Sequence, residues 1–110
     1  MPDDLDGIWK ALSDHTRRQI LDFLRDGPRT TTEVVAQFTN LSRFGVMKHL
    51  DVLREAGLVI THNDGRRRLN SLNPIPIRQI YERWVSGYMD LWAGQLTGIK
   101  KMLEDRSSQP

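Results

Sequence analysis

Asn40 to Leu58 reads NLSRFGVMKHLDVLREAGL, and this stretch decides the fold. Ser42 is placed to cap a helix start, because its hydroxyl can accept an otherwise unpaired amide hydrogen bond of the first turn. Val46, Leu50 and Leu53 then recur at helical spacing and make one apolar face. Arg43, Met47, Lys48 and Arg54 lie away from that face and are free to reach outward. Gly57 supplies the left-handed residue that helix ends often use. The spacing therefore predicts a short helix with a buried back and a basic front, of a size that fits the major groove of DNA.

Charge is distributed around this helix unevenly. Residues 1–40 carry five Lys/Arg against seven Asp/Glu (−2), residues 41–73 six against three (+3), and residues 74–110 five against four (+1). The excess of cations sits with the candidate helix, which points to a polyanionic partner. The chain of 110 residues contains no cysteine, so disulfides, thiolate metal sites and thiol redox chemistry are excluded. No apolar run approaches the roughly 20 residues of a membrane span, and MPDDLDGIWK is too acidic for a signal peptide. A cytoplasmic protein with no membrane contact is expected.

N-terminal to the central stretch, Asp3 or Asp4 can cap a first helix carrying Leu5, Ile8, Trp9 and Leu12. Asp14 can cap a second helix to about Asp26, with Ile20, Leu21, Phe23 and Leu24 on its apolar face, ended by Gly27-Pro28. The Thr30-Thr31-Thr32 cluster caps a third helix, about 32–38, whose Val34, Val35 and Phe38 turn inward. Two helices joined by a tight turn, the second basic outside, make a helix-turn-helix. After Gly57 the pattern alternates: Leu58 to His62 and Arg66 to Leu72 are β-prone, and Asn63-Asp64-Gly65 is a turn signal. Leu69 and Leu72 are expected to face the core. A hairpin in this position is a wing. Asn73-Pro74-Ile75-Pro76 then starts a long last helix to about Glu104, with a stripe that includes Trp84, Tyr88, Leu91, Trp92, Leu96 and Ile99. The expected architecture is mainly α with a small β-hairpin, in the order α-α-α-α-β-β-α, as one domain over residues 1–105 and a disordered tail over 106–110.

In this order, the segments LDGIWKALSDHTRRQILDFL, LSRFGVMKHLDVLREAGLV and NDGRRRLNSLNP resemble the ArsR-type family of winged helix-turn-helix transcriptional regulators. The resemblance covers about residues 5–104. It implies homodimers built on the first and last helices that repress transcription by occupying operator DNA. Metal-sensing members carry a Cys-rich third helix or Asp and His on the last helix; here the third helix reads TTEVVAQF and the last has no histidine. The chain is thus most similar to the branch without metal-site residues.

The residues expected at double-stranded DNA are Thr31, Ser42, Arg43, Phe44, Met47, Lys48, His49, Arg66, Arg67 and Arg68. Arg43 is the first choice for a guanine edge, Met47 for a thymine methyl and Lys48 for phosphate. His49 packs or touches phosphate, and alternation lets only two of the three wing arginines face DNA. The homodimer seam is expected from Leu5, Ile8, Trp9, Trp84, Tyr88, Leu91, Trp92, Leu96 and Ile99, because that much aromatic surface is otherwise unfavourable in water. No cofactor or metal is implied, and no enzyme: no nucleophile has a neighbouring base, and His15, His49 and His62 fall on three different elements. The alternative function is a winged-helix module for protein contacts. The sequence names no effector.

Overall fold

The computed structural model describes residues 5–107. In chain order the elements are α1 (Asp6–Leu12), α2 (His15–Leu24), β1 (Arg29–Thr30), α3 (Thr31–Gln37), α4 (Arg43–Glu55), β2 (Val59–Asp64), β3 (Arg67–Leu72) and α5 (Ile75–Ile80). A π-helical stretch, Tyr81–Ser86, and α6 (Gly87–Ser107) follow. The chain divides between Ile77 and Arg78 into two compact units, where the sequence suggested one domain. Among the described residues after Ile77 none is buried, so the last helix is not drawn into an interior of its own.

The first unit closes around Ala11, Ile20, Leu24, Val34, Val46, Leu50, Leu53 and Leu58, each at most 1% exposed. Ile20, Leu24, Val34, Val46, Leu50 and Leu53 are apolar helical positions read from the sequence, so apolar periodicity orients α2, α3 and α4. Leu5 and Ile8 belong to this core as well, at 7% and 5% exposure. They are therefore removed from the expected dimer seam, leaving Trp9 (45% exposed) as the outward residue of α1.

Caps decide the helix boundaries. Leu5 stands at the N-cap of α1 without a side-chain cap bond, and the caps expected from Asp3 or Asp4 lie outside the described residues. Thr30 rather than its neighbours caps α3: its hydroxyl accepts from the Glu33 amide at 3.1 Å while Glu33 accepts from the Thr30 amide at 3.1 Å, a reciprocal box that satisfies two exposed donors. At the end of α4, Gly57 adopts φ +76° and lets the Leu58 amide reach back to the Leu53 carbonyl at 2.9 Å. Asn73 then ties the wing to that corner, its amide nitrogen donating to the Gly57 carbonyl at 2.7 Å.

Asp14 caps α2, accepting from the Arg17 amide at 3.1 Å. That bond holds its carboxyl below the ordinary 3.8. Removing the cap in Asp14→Ala is expected to cost about 1 kcal/mol of stability, read as a lower midpoint in urea unfolding. Because the folded-state value is depressed, this contribution is present above pH 3.8 and fades as pH falls through the lowered value. The variant and wild type should therefore converge in acid; a constant gap would refute the cap.

The sheet has three strands in the order β1-β3-β2, one more than the hairpin expected. Arg29 and Thr30 pair with Asn70 and Leu69; two residues carry no alternation that a sequence can show. The hairpin register differs too. Val59 pairs with Leu72, Thr61 with Asn70 and Asp64 with Arg67, which leaves Gly65 and Arg66 as the two-residue loop. Gly65, at φ +62°, occupies the first loop position, as a type II′ turn requires. The strands thereby place Asn70, fully buried, on the inward face, whereas Leu69 and Leu72 are only half-buried.

From Ile75 onward the chain is helical, as expected, but interrupted. The wider turn at Tyr81–Ser86 breaks the i, i+4, i+8 phase that linked Trp84 to Tyr88 and Trp92. Tyr88 and Trp92 meet edge to face with centroids 6.0 Å apart, while the Arg83 guanidinium covers Trp84 at 4.7 Å. The helix runs to Ser107, so Arg106 and Ser107 are helical rather than part of a tail; the rest of that expected tail lies outside the described residues.

Candidate nucleic-acid interface

The hydroxyl of Ser42 accepts from the Gly45 amide at 3.0 Å and starts α4. Burying Val46, Leu50 and Leu53 turns the opposite side outward. Arg43, Phe44 and Lys48 are exposed there and Met47 is half-buried. Phe44 is 69% exposed, and the Lys48 ammonium rests 5.1 Å from its ring centroid. Cation–π attraction holds the two as one projecting pair.

Facing this helix across a cleft of about 500 Å³ is the wing. The lining includes Thr32, Arg43, Met47, Arg54, Arg66 and Arg68. Arg67 and Glu33 also line it, so five arginines stand with one carboxylate in the lining, and two of them, Arg54 and Arg67, are paired with Asp51 and Asp64 beside it. Such a concave cationic wall concentrates field toward an anion. Arg67 is tied to Asp64 at 2.8 Å. Arg66 is carried on the hairpin turn, and Arg68 shares the strand face of Asn70. Glu33 stays ionised beside them, since the Thr30 amide holds its carboxyl below the usual range.

Packing decides three side chains: Thr31, expected at DNA, His49, expected to pack or touch phosphate, and Arg54, expected to be free to reach outward. Thr31 is buried, and its hydroxyl accepts from Asn70 Nδ2 at 3.1 Å; exposed Thr32 takes the outward place. His49 turns toward α2, with Nδ1 3.3 Å from Arg17 Nη1. Arg17 is itself fixed by the Ala11 carbonyl at 2.8 Å and the Lys10 carbonyl at 2.9 Å. Arg54 is not free: it donates to Asp51 and, from Nε, to Thr61 Oγ1 at 2.8 Å. Thr32 and Asn70 were not singled out from sequence. The first is one of three consecutive threonines, and the second becomes special only through the strand register.

A helix-turn-helix domain model matches residues 12–62, spanning α2 to the first half of the wing. The HTH-type transcriptional regulator Rv2034 of Mycobacterium tuberculosis is 34% identical over 102 residues, covering 90% of this chain and 88% of that protein. The transcriptional repressor SdpR of Bacillus subtilis is 36% identical over 69 residues, covering 63% of this chain and 76% of that one. The crystal structure of the ArsR family transcriptional regulator RHA00566 superposes with a TM-score of 0.70 at 34% identity, over 83% of this chain and 98% of that chain. The chain belongs to the ArsR family of winged helix-turn-helix transcriptional regulators. This ArsR-type regulator therefore presents α3 and α4 as its helix-turn-helix and β2–β3 as its wing. Among its described residues no group of three or more His, Cys, Asp or Glu is arranged to hold a metal ion, and no helix is long and apolar enough to cross a membrane.

Proposed function

We propose that this ArsR-type regulator is a homodimeric transcriptional repressor that occupies a two-fold symmetric operator in double-stranded DNA and can control its own promoter. The observation that carries the reading is the cationic cleft between α4 and the wing, beside an exposed helix face of mixed chemistry. In this reading Arg43 and Met47 address base edges from α4, with Phe44 beside them. Ser42, Lys48, Thr32, Arg66 and Arg68 hold the backbone. The resemblance to a named repressor supports the direction of regulation, and the chromosome as target supports a cytoplasmic location. Selection from a random duplex library followed by gel shift at two salt concentrations tests it. Binding that falls steeply with salt is expected; absence of binding even at low salt would favour the protein-contact alternative.

Two copies are needed because one winged helix-turn-helix reads only a few base pairs. The last helix offers the means: Trp84, Tyr88, Leu91, Trp92, Leu96 and Ile99 are between 44% and 62% exposed. A second copy of the same helix would cover them, and Trp9 is a further residue that a partner copy would shield.

With no cysteine in the chain, no histidine after residue 62, and His15, His49 and His62 on three different elements, zinc, nickel or cobalt at low micromolar concentration is expected to leave the DNA complex intact, since a lone imidazole or oxygen donors by themselves bind these ions weakly. A metal-dependent loss of the gel shift, reversed by chelator, would overturn this.

A further inference from the structure

The core position of β3 is filled by an amide. Asn70 is 0% exposed, where a strand with one face on a core would ordinarily place an apolar side chain. Burying an amide costs free energy unless its polar atoms are paired. Here they are paired on three separate elements. Asn70 Nδ2 donates to the Arg29 carbonyl of β1 at 3.2 Å and to Thr31 Oγ1 of α3 at 3.1 Å. Its Oδ1 accepts from the Thr61 hydroxyl of β2 at 2.8 Å, and Thr61 accepts from Arg54 Nε of α4 at 2.8 Å. Every donor in this chain points the same way, from the Arg54 cation through Thr61 and Asn70 to Thr31.

We infer that Asn70 is a positioning residue for DNA binding, setting the gap between α4 and the wing so that Arg68 and Arg43 engage one duplex together. The inference rests on the DNA-binding reading above. Apolar burial would hold β3 against the helices without fixing its angle, because hydrophobic contact is non-directional. Hydrogen bonds restrict direction, and a satisfied buried network specifies one arrangement. The network ends at Arg54, which lines the cleft. Its Nε is committed to Thr61 and its Nη1 to Asp51, so Nη2 is left for a phosphate entering between helix and wing. Asn70 itself touches no DNA in this arrangement; it acts through Arg54 and through the placement of Arg68.

A double-mutant cycle on the full chain tests this. The probe is a fluorescent duplex selected by wild type from a random-sequence library, titrated by polarisation. In the wild-type background Arg43→Ala and Arg68→Ala are each expected to weaken binding about tenfold. In the Asn70→Leu background, which keeps side-chain volume, Arg68→Ala should cost less than about threefold while Arg43→Ala still costs about tenfold. Thr61→Val, which breaks the link to Arg54 at a half-buried site, is expected to show the same selectivity, and it decides the matter if Asn70→Leu does not fold. Additive effects, or an equal loss of the Arg43 and Arg68 contributions, would overturn the inference, the latter marking mere destabilisation. Failure of wild type to select any duplex would instead overturn the DNA-binding reading beneath it.

Discussion

Replacing Trp92 with alanine is expected to drive the protein toward monomer and, through that, to weaken operator binding, although Trp92 lies on α6 and outside the cleft. The side chain is 44% exposed, which leaves on the order of 100 Å² of aromatic surface for a partner to cover. Covering it contributes about 2 kcal/mol per copy, hence about 4 kcal/mol across a two-fold seam, or roughly a thousandfold in dimer Kd. The effect is doubled because an isologous interface uses each residue twice. Operator binding should fall with it, since half-sites roughly 34 Å apart are read together only by a dimer. Sedimentation of both proteins at micromolar concentration, beside a gel shift, checks the result. Gln95→Ala, a polar change on the same helix, serves as control. A wild type that is monomeric and yet binds a palindrome tightly would remove the seam.

Arg43→Ala is expected to cost about 1–3 kcal/mol on the selected operator and to relax preference at one base pair, because a guanidinium can pair both acceptors of a guanine edge. Arg43 is exposed on the first turn of α4, and its backbone is fixed by the Ser42 cap beside it. Lys48→Ala should behave differently. Its ammonium sits over Phe44, and its loss should weaken specific and non-specific binding alike, flattening the log–log salt dependence by about one unit. Repeating the library selection with each variant separates the two outcomes. If Arg43→Ala retains both affinity and base preference, α4 is not the element that reads sequence.

The helices were legible because their signals are local. Val46, Leu50 and Leu53 repeat at the period of the helix, Ser42 and Asp14 stand where a hydroxyl or carboxylate can take a first-turn amide, and Gly57 permits the left-handed stop. The basic front of α4 follows from the same periodicity, since whatever is not on the buried stripe must face out. The arginine-dense wing was legible from composition and from the turn-forming glycine.

What depended on tertiary structure is what depends on pairing between distant segments. Whether Asp64-Gly65 or Gly65-Arg66 forms the loop shifts every cross-strand partner by two residues and decides whether Arg66 lies in the strand or in the turn, and the pairing of Asp64 with Arg67 puts it in the turn. Leu5 and Ile8 have the same chemistry as an exposed seam or as a core, and only packing shows that α1 turns them inward. Thr31 and His49 are ordinary DNA-contact types, yet Asn70 and Arg17 hold them elsewhere. The sequence by itself determined the helix-turn-helix and the sign of its outer face, because periodicity and capping act within a few residues. The tertiary structure decided the strand register and which side chains line the cleft, because strand pairing and hydrogen bonds join distant residues, Asn70 and Thr31 among them, which lie 39 positions apart.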